Sequence, residues 1–587
     1  MYVRCVPNKS KPKSLYYVIG YRDENGKSRQ KTIEKIGDWE ELIKLYDDPI
    51  SHYNKLAKDK EEPAITNIPI NFNDILLIDD SFKHFGHVPL KSIYNSLNIS
   101  KVFRSYESKY KFDYSLESIM MMLVYSRILA PSSKLAAFNN KDNFFEHFEF
   151  TLKDMYRALD HLPLLKDDLL SAIWNNTVDK YNRDASSTYY DCTNYYFEIS
   201  YNDEDLTDEF GNILEKGYRK KGPSKENRKS PIIQMGLLMD KTGLPMTYDL
   251  FSGNDSEKGT LRPIVKNTKS KFGIDRTIVV ADRGLNTSDN TWFTAGKNDD
   301  YTNLDGYVYG QSIRGASREF KDWVLDQKGY ITDEIEDNDE IISFKHKSRL
   351  ISKDITLIRD GKRKNKTNLY QKQMVYYSKK YAAKQLKERM IAVDKSKELI
   401  NNPGKYNKAT SYGSCKYINN IEYNTNTGEI VNQSTLSLNQ SLIDEEGLYD
   451  GYYSIVTSES KLSDIEIRNI YKKLWKIEET FKITKSSLET RPVYVWTREH
   501  IEAHFLTCFI SLVIIRLLEQ KLNNKYYVEK IINSLRNYKC QKITHDVYLF
   551  GFYDEVIDEI HNKLNINLNS KYKKLSEIKK ILKYLSN

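Results

Sequence analysis

The sequence is poor in cysteine, and its cysteines are not arranged as disulfide or metal-binding pairs. Only five occur in 587 residues, and no two of them are spaced as Cys-x2-Cys. The sequence therefore supports neither a disulfide framework nor a cysteine-based zinc site, and this usage is expected of a protein in a reducing cytoplasm. The five are scattered along the chain: Cys5, Cys192, Cys415, Cys508 and Cys540.

Long apolar runs are also missing. The longest, Phe505 to Ile515, has 11 residues and is interrupted by threonine and serine. It is too short to cross a bilayer, so we expect a buried helix there. The first residues, MYVRCVPNKSKPK, contain no apolar segment of the signal-peptide kind, and we expect no secretion signal.

Charge is plentiful but unevenly distributed. Charged residues make up 29% and hydrophobic residues 40%, which is typical of a globular chain, and the net charge is +9. Residues 1–35, 218–230 and 561–587 carry net charges of +6, +5 and +6, so the rest is acidic on balance. Separated basic segments suit a polyanion that touches several parts of a protein, although solvated loops have the same composition.

The first 180 residues contain turn and helix signals but nothing that looks catalytic. Asn25-Gly26 between two β-prone runs predicts a hairpin over 14–36, followed by a helix over 38–60. Residues 89–180 have helical periodicity. Residues 1–60 are either a small nucleic-acid-binding module or a structural appendage, and the sequence leaves both open.

An aspartate lies inside the first strongly β-prone segment of the next region. Thr188 to Ile199 is dense in tyrosine, threonine and phenylalanine, which favours a strand. Asp191 lies within it, and a carboxylate near a core needs a partner or a metal. The alternative is an aspartate that faces solvent from an edge strand. Strands over 232–239 and 246–251 complete a predicted three-stranded antiparallel meander.

A second aspartate follows a short apolar run. After a helix predicted around 259–271, Thr277 to Ala281 suits a buried parallel strand, and it ends in Asp282. An acid at the exit of such a strand, beside a glycine turn, is a common metal-binding position; the alternative is an aspartate that caps the next helix. Three strands, a helix and a strand ending in aspartate form the order of a ribonuclease-H-like sheet, in which a later helix supplies a third acid.

The segment from Ile470 to Lys485 is a suitable later helix. At about 100° per residue it has an apolar stripe and a second stripe that holds Tyr471, Glu478, Lys482 and Lys485. Ser463 to Glu466 predicts a capping box at its start. The alternative is an ordinary amphipathic helix with a solvated charged face.

The spacing of the acids predicts an inserted domain. The roughly 200 residues between Asp282 and Glu478 are too many for a simple crossover connection. We therefore predict an α/β fold: a ribonuclease-H-like mixed sheet with a β-rich insertion domain, preceded by a β-hairpin module and a helical domain. The predicted divisions are 1–75 (hairpin and helix module, possible DNA binding), 76–185 (helical), 186–310 (first part of the core), 311–462 (mixed β-rich insertion), 463–525 (final core helices) and 526–587 (basic, helical).

With these motifs the sequence resembles DDE-type transposases of bacterial insertion sequences, and most closely the insertion-sequence-4-like group. That group has a helix signature, Tyr-x2-Arg-x3-Glu-x6-Lys, which Tyr471, Glu478 and Lys485 match. Leu474 occupies the arginine position, where Lys473 or Lys476 would have to supply the charge. Further similarity lies at Tyr190-Asp191, Gly222 to Lys225, Phe251 to Asn254, Val280 to Gly284 and Arg491 to Tyr494.

The resemblance implies an enzyme that cleaves DNA at the ends of an insertion sequence and joins the 3′-hydroxyl ends to target DNA. Asp191, Asp282 and Glu478 would hold two Mg²⁺ ions, with Mn²⁺ as a substitute. The implied partners are double-stranded DNA, as terminal inverted repeats and target, and a second copy of the chain in a synaptic complex in the bacterial cytoplasm. The implied DNA-binding residues are Tyr471, Lys476, Lys482, Lys485, Lys225, Arg228 and Arg283.

Two other functions remain open at this point. The first is a ribonuclease-H-fold nuclease without strand transfer. The second is a DNA-binding protein that derives from a transposase and has no catalytic activity, although all three acids are present. His500-Ile-Glu502-Ala-His504 places two histidines on one helical face, but the glutamate is misplaced for a zinc protease, so we predict ordinary histidines there.

Overall fold

A computed structural model describes most of the chain, which divides into two compact units, Met1–Leu77 and Ile78–Asn587. The described residues are 2–7, 13–22, 28–59, 82–223, 230–295, 305–337, 340–359, 362–402, 413–419, 436–544 and 546–585.

The first unit is a three-stranded antiparallel sheet with two helices. The strands pair in the order β1-β2-β3, which confirms the hairpin predicted over 14–36, while its turn at 23–27 lies outside the described residues. The helix predicted over 38–60 is two helices. Val3, Leu15 and Leu42 lie in the core of this unit. The elements are β1 (Tyr2–Val6), β2 (Ser14–Arg22), β3 (Ser28–Asp38), α1 (Trp39–Leu45) and α2 (Pro49–Asp59).

The second unit begins with a short strand and a set of helices, as predicted for 89–180. Several helices begin at capping hydroxyls, as at Ser115, Ser133 and Thr151. The elements are β4 (Lys83–His84), α3 (His87–Ser96), α4 (Ser100–Lys109), α5 (Leu116–Leu129), α6 (Lys134–Asn139), α7 (Leu152–His161) and α8 (Lys166–Thr177).

The predicted meander and buried strand are present in a mixed sheet. β8 pairs antiparallel with β5 and β9, and β10 pairs parallel with β5 and β11, which gives the order β9-β8-β5-β10-β11. The elements of this part are β5 (Ser187–Tyr196), β6 (Leu206–Thr207), β7 (Ile213–Glu215), β8 (Ile232–Asp240), β9 (Pro245–Ser252), α9 (Leu261–Phe272), β10 (Ile278–Ala281), α10 (Ser288–Ala295) and β11 (Gly306–Gln311).

The long strands of the insertion extend this same sheet. β17 pairs antiparallel with both β11 and β14, so the sheet has nine strands and continues as β11-β17-β14-β13-β12. Ile355 and Leu369 of the β13–β14 hairpin pack with Val279 and Tyr307 over one face of the sheet. The elements are α11 (Arg318–Leu325), β12 (Ile331–Asp337), β13 (Glu340–Arg359), β14 (Lys362–Tyr377), α12 (Lys379–Asn401), β15 (Ile418–Asn419), β16 (Ser437–Leu438), α13 (Gln440–Gly447) and β17 (Tyr452–Thr457).

The final part differs from the prediction in two places. The single helix expected from Ile470 to Lys485 is interrupted at Lys473 and Leu474 and ends in a π-helical turn, Ile483–Ser487. The region 526–587 is not wholly helical, because β18, β19 and β20 form an antiparallel sheet with β4. The elements are α14 (Asp464–Lys472), α15 (Trp475–Lys482), α16 (Arg498–Lys521), α17 (Val528–Asn537), β18 (Lys539–Lys542), β19 (Val547–Phe550), α18 (Glu555–Leu564), β20 (Tyr572–Lys574) and α19 (Leu575–Tyr584).

Helix α16 confirms the buried helix predicted at Phe505 to Ile515. Among the described residues it is the one helix long and apolar enough to cross a membrane, but 94% of its apolar stretch is buried inside the fold. It packs against α3, α5, α7 and α17. One continuous cluster of buried apolar side chains has Phe85 as its first and Leu585 as its last member in the sequence. It joins the early helices, the large sheet and the last helix, α19.

Candidate active site

The sheet places two of the predicted acids side by side. Ala281, the last residue of β10, pairs in parallel register with Tyr190 of β5, so Asp282 and Asp191 are the next residues on the two neighbouring strands. Residues at matching positions of parallel strands project from the same face. Asp191 is half-buried and Asp282 is exposed.

Each of these aspartates also accepts a hydrogen bond from the backbone just after it. The Cys192 N–H donates to Asp191 Oδ1 at 2.8 Å, and the Arg283 N–H donates to Asp282 Oδ1 at 2.6 Å. Asp282 thereby caps the short 3₁₀ turn Arg283–Leu285. Asp282 therefore does cap a helical turn, as the alternative prediction for this residue stated. Its carboxylate nevertheless remains at the end of the strand.

Two tyrosines of β5 fix the position of the segment that carries Glu478. The Tyr189 hydroxyl donates to the Ile470 carbonyl at 3.1 Å, and the Tyr195 and Thr484 hydroxyls are 2.7 Å apart. Tyr189 and Tyr195 are even numbers of residues from Asp191, so all three project from one face of the sheet. Glu478 therefore lies over the middle of β5, on the face of Asp191.

The lengths of the two segments agree with this placement. Six strand residues span about 20 Å, and the 14 residues from 470 to 484 span about 21 Å as a helix. Ile477 and Phe481 are buried against the core, whereas Glu478 is exposed. The apolar face of α15 thus holds the helix on the sheet and leaves Glu478 at its edge.

A cleft of about 1410 Å³ opens beside Asp282 and Glu478. Its lining is basic, with seven cationic side chains against these two acids. The cations come from the strand ends, the insertion and α14: Arg283, Arg314, Lys345, Lys379, Lys380, Arg468 and Lys472.

Stacked aromatic rings form one wall of this cleft. Tyr381 lies 3.9 Å from Tyr453 between ring centroids, with 23° between the planes. Tyr376 lies 5.2 Å from Tyr453 on the same stack. Burial, these two neighbouring tyrosines and the charge of Glu478 raise the pKa of Tyr453, so the stack lies beside Glu478.

Tyr471 packs tightly at the strand ends. Burial and then the charge of Asp282 raise the pKa of the Tyr471 phenol well above its usual value. A methyl group on Gly310 of β11 would lie 2.5 Å from the Tyr471 hydroxyl and 3.0 Å from the Arg283 nitrogen. The bare glycine therefore lets the tyrosine reach the sheet beside Asp282 and Arg283.

The three acids are not gathered into one ligand set. In the described part of the chain, no three His, Cys, Asp or Glu side chains are close enough together to hold a metal ion, and Asp191 does not line the cleft that Asp282 and Glu478 share. Carboxylates are the donors that Mg²⁺ prefers, and the strand register suits a shared ion. Binding would require the carboxylates to turn from the positions described here.

The other predicted DNA-binding residues are dispersed. Lys476 packs on the β8–β9 turn, with its Nζ 3.5 Å from the Thr242 carbonyl. Lys482 is exposed and lines a neighbouring pocket of about 640 Å³ with Glu479, and the Lys485 Nζ lies 5.8 Å from the Tyr195 ring centroid. Lys225 and Arg228 lie outside the described residues.

The predicted stripe is wrong in part. Tyr471 and Glu478 line one cleft although the helix is interrupted between them, whereas Lys482, one turn after Glu478 in the same helix α15, lines the neighbouring pocket. Of the predicted DNA-binding set, Tyr471 and Arg283 line the cleft of Asp282 and Glu478.

Six of the seven cations of the cleft were not predicted from the sequence, and two of them, Arg468 and Lys472, belong to α14. Arg468 lies three residues before Tyr471 and 5.3 Å from the Phe344 ring centroid. Residues three and four apart share a helix face, so this spacing to Tyr471 was the available signal. Leu474, in contrast, is 8% exposed and belongs to the core.

The two histidines of the HIEAH segment are ordinary, as predicted. The His500 Nε2 is 3.0 Å from Asp160 Oδ1. The His504 Nε2 bonds the Thr490 carbonyl at 3.0 Å, and burial holds the pKa of His504 well below its usual value.

Comparison with known proteins gives a distant similarity to a solved structure. No family model matches the chain, and no curated protein matches it. Among solved structures, the chain is similar to the piggyBac transposase in a cryo-EM structure of its synaptic complex with hairpin DNA, at 9% identity and a TM-score of 0.31. The similarity covers 87% of this chain and 86% of that one.

Proposed function

We propose that this protein is a transposase of the DDE type, which cleaves DNA at the ends of an insertion sequence and joins the 3′-hydroxyl ends to target DNA. The sheet order β9-β8-β5-β10-β11, with its strand directions, suits a ribonuclease-H-like core. The observation that carries the proposal is the matched register of Asp191 and Asp282, with Glu478 held over the same face.

The three carboxylates are the residues that would hold Mg²⁺, or Mn²⁺ in its place. Bound divalent ions stabilise the charge on the attacking and leaving oxygens of a phosphodiester. The protein's own contribution is to hold the acids at fixed strand and helix positions. Tyr471 packs against the strand ends, between the helix and the sheet.

The cleft supports a nucleic acid as the ligand of this site. Its excess of lysine and arginine suits the phosphate backbone, whose neutralisation supplies most of the affinity for DNA. Its stacked tyrosines suit an unpaired base, because every base offers a face for stacking. The proposed partners are terminal inverted repeats, target DNA and a second copy of the chain, in the bacterial cytoplasm.

The test uses the full chain and duplex DNA from the sequences that flank its gene. We expect cleavage that requires Mg²⁺ or Mn²⁺ and that yields products joined to a second duplex. Asp191→Asn, Asp282→Asn and Glu478→Gln should each lower the cleavage rate by about 10²–10³-fold, because metal-assisted charge stabilisation contributes several kcal/mol.

A matched control is Glu499→Gln, an exposed acid in the first turn of α16, which should leave cleavage unchanged. Cleavage that survives all three acid variants would show that the proposed site is wrong. Cleavage without joined products would identify a nuclease instead of a transposase.

A further inference from the structure

The last described helix and the strand before it carry lysines that form no salt bridge with a described acid. Salt bridges of the neighbouring helices join Lys525 to Glu559 and Lys530 to Glu555. In the described residues after Leu564, by contrast, no lysine forms a salt bridge. The exposed members of this group are Lys571, Lys574, Lys579, Lys580 and Lys583.

The fold fixes three of these lysines along one side of α19. Lys579, Lys580 and Lys583 are spaced i, i+1 and i+4, which places them on one face of a helix. Ile578 is fully buried on another side of the helix. The Asn95 side chain also donates to the carbonyl of Leu585 just after the helix.

The single acid of this region, Glu577, already accepts a hydrogen bond from the backbone. Glu577 Oε2 accepts a hydrogen bond from the Lys574 N–H at 2.8 Å, as part of the capping arrangement at the start of α19. Two tyrosines flank the lysines and are more than half exposed, Tyr572 at 54% and Tyr584 at 68%. The surface formed by β20 and α19 is therefore basic with exposed aromatic rings.

The charge spacing of this surface matches a duplex. Four residues of helix, from Lys579 to Lys583, rise about 6 Å, and double-stranded DNA carries one negative charge per about 1.7 Å of its axis. Three lysines thus face about three or four phosphate charges. A helix that binds a membrane surface needs its apolar face free, whereas the apolar face of α19 is packed into the core.

We propose that the β20–α19 surface binds the phosphate backbone of duplex DNA. This surface belongs to a later part of the sequence than the three acids. The choice of DNA as the polyanion rests on the proposed function. The contact is made to phosphates, so it holds DNA of any sequence.

The test measures how binding of the full chain to a duplex of random sequence depends on salt. Each lost phosphate contact lowers the slope of log K against log salt by about 0.9. We therefore expect the triple variant Lys579→Gln, Lys580→Gln, Lys583→Gln to lower that slope by about 2.7. Glutamine keeps helix propensity, and circular dichroism checks that the fold is retained.

The matched control is Lys525→Gln with Lys530→Gln, since both lysines are exposed but paired with acids. It should change the slope by less than one unit. An unchanged slope in the triple variant, or an equal change in the control, would overturn the proposal. Tighter binding of duplex RNA, or of vesicles with 30% phosphatidylserine, through the same lysines would also overturn it.

The outcome is separable from that of the proposed function. Asp282→Asn should lower the cleavage rate by about 10²–10³-fold and leave the salt slope unchanged. If the wild-type chain cleaves no DNA but the triple variant lowers the slope as expected, the surface assignment stands and the transposase proposal fails. If the wild-type chain cleaves DNA but the triple variant leaves the salt slope unchanged, the transposase proposal stands and the surface assignment fails.

Discussion

A cluster of charged residues joins the insertion to the helix segment of the candidate site, and it can be broken by one substitution. Asp464 is the first residue of α14. Its Oδ2 is 2.7 Å from the His346 Nδ1, and its Oδ1 is 2.8 Å from the Lys372 Nζ. The other imidazole nitrogen of His346 is 2.9 Å from Asp333 Oδ2. Strands β12, β13 and β14 are thereby tied to α14, which carries Tyr471.

The size of the effect follows from the carboxylate's pKa. Burial alone would raise the pKa of Asp464, but hydrogen bonds from His346 and Lys372 outweigh it and lower the pKa to about 2. Relative to an ordinary aspartate this lowering of the pKa corresponds to about 2–3 kcal/mol of stability. Because the folded-state pKa is lowered, this stability is present above about pH 4 and is lost as the pH falls through about 2.

The histidine has the opposite pH dependence. Burial lowers its pKa, but hydrogen bonds to Asp464 and then Asp333 outweigh it, so the pKa of His346 is raised. Its contribution is therefore complete below about pH 6.5 and is lost as the pH rises through the raised value. The cluster is strongest between about pH 4 and pH 6.5.

Asp464→Asn should weaken the cluster and lower the pKa of His346, since burial remains and one carboxylate is gone. Histidine-selective NMR titration measures this pKa directly. Asp333→Asn is the matched comparison and should have the smaller effect, because the Asp333 side chain is 40% exposed and Asp464 only 9%. Hydrogen exchange of α14 should quicken in Asp464→Asn. An unchanged His346 pKa in that variant would refute this reasoning.

Two further predictions concern single positions. Gly310→Ala should lower the cleavage rate, because the new methyl group would collide with the Tyr471 hydroxyl; Gly315→Ala, whose nearest neighbour is 3.6 Å away, should have no effect. Burial and then the charge of Arg127 lower the pKa of Lys134 to about 7. Lys134→Met should therefore stabilise the protein against urea by up to about 5 kcal/mol at pH 6, and the gain should fade toward pH 10 as the wild-type lysine becomes neutral in both states; an equal gain at both pH values would contradict it.

Local patterns were sufficient to predict the elements on which the site rests. The meander, the buried strand that ends at Asp282 and the buried helix at Phe505 to Ile515 all follow from side-chain periodicity over a few residues. The capping box at Ser463 and Glu466 is also present, with Ser463 bonded to the Glu466 N–H at 3.2 Å. These features depend on neighbours in the chain, which the sequence displays directly.

Features that depend on distant partners were not predictable in this way. The insertion strands join the sheet because β17 pairs with β11, about 145 residues away along the chain, and no local pattern specifies that pairing. Strands β18 and β20 have four and three residues, too few for an alternating pattern to be recognised. The helix is interrupted at Lys473 and Leu474 without a proline or a glycine, which are the residues that would have predicted an interruption.

Leu474, at the arginine position of the helix signature, has to be interpreted from both the sequence pattern and the packing in the structure. The sequence placed Leu474 where a cation was expected and suggested Lys473 or Lys476 instead. Burial and then the charges of Lys241 and Lys476 lower the pKa of Lys473, which places it on the side of the β8–β9 turn. Arg468 and Lys472 come from the turns before Leu474 and line the cleft with Asp282 and Glu478. Leu474 itself packs into the core, so positive charge at this site is supplied by α14, by Arg283 at the end of the neighbouring strand and by side chains of the insertion.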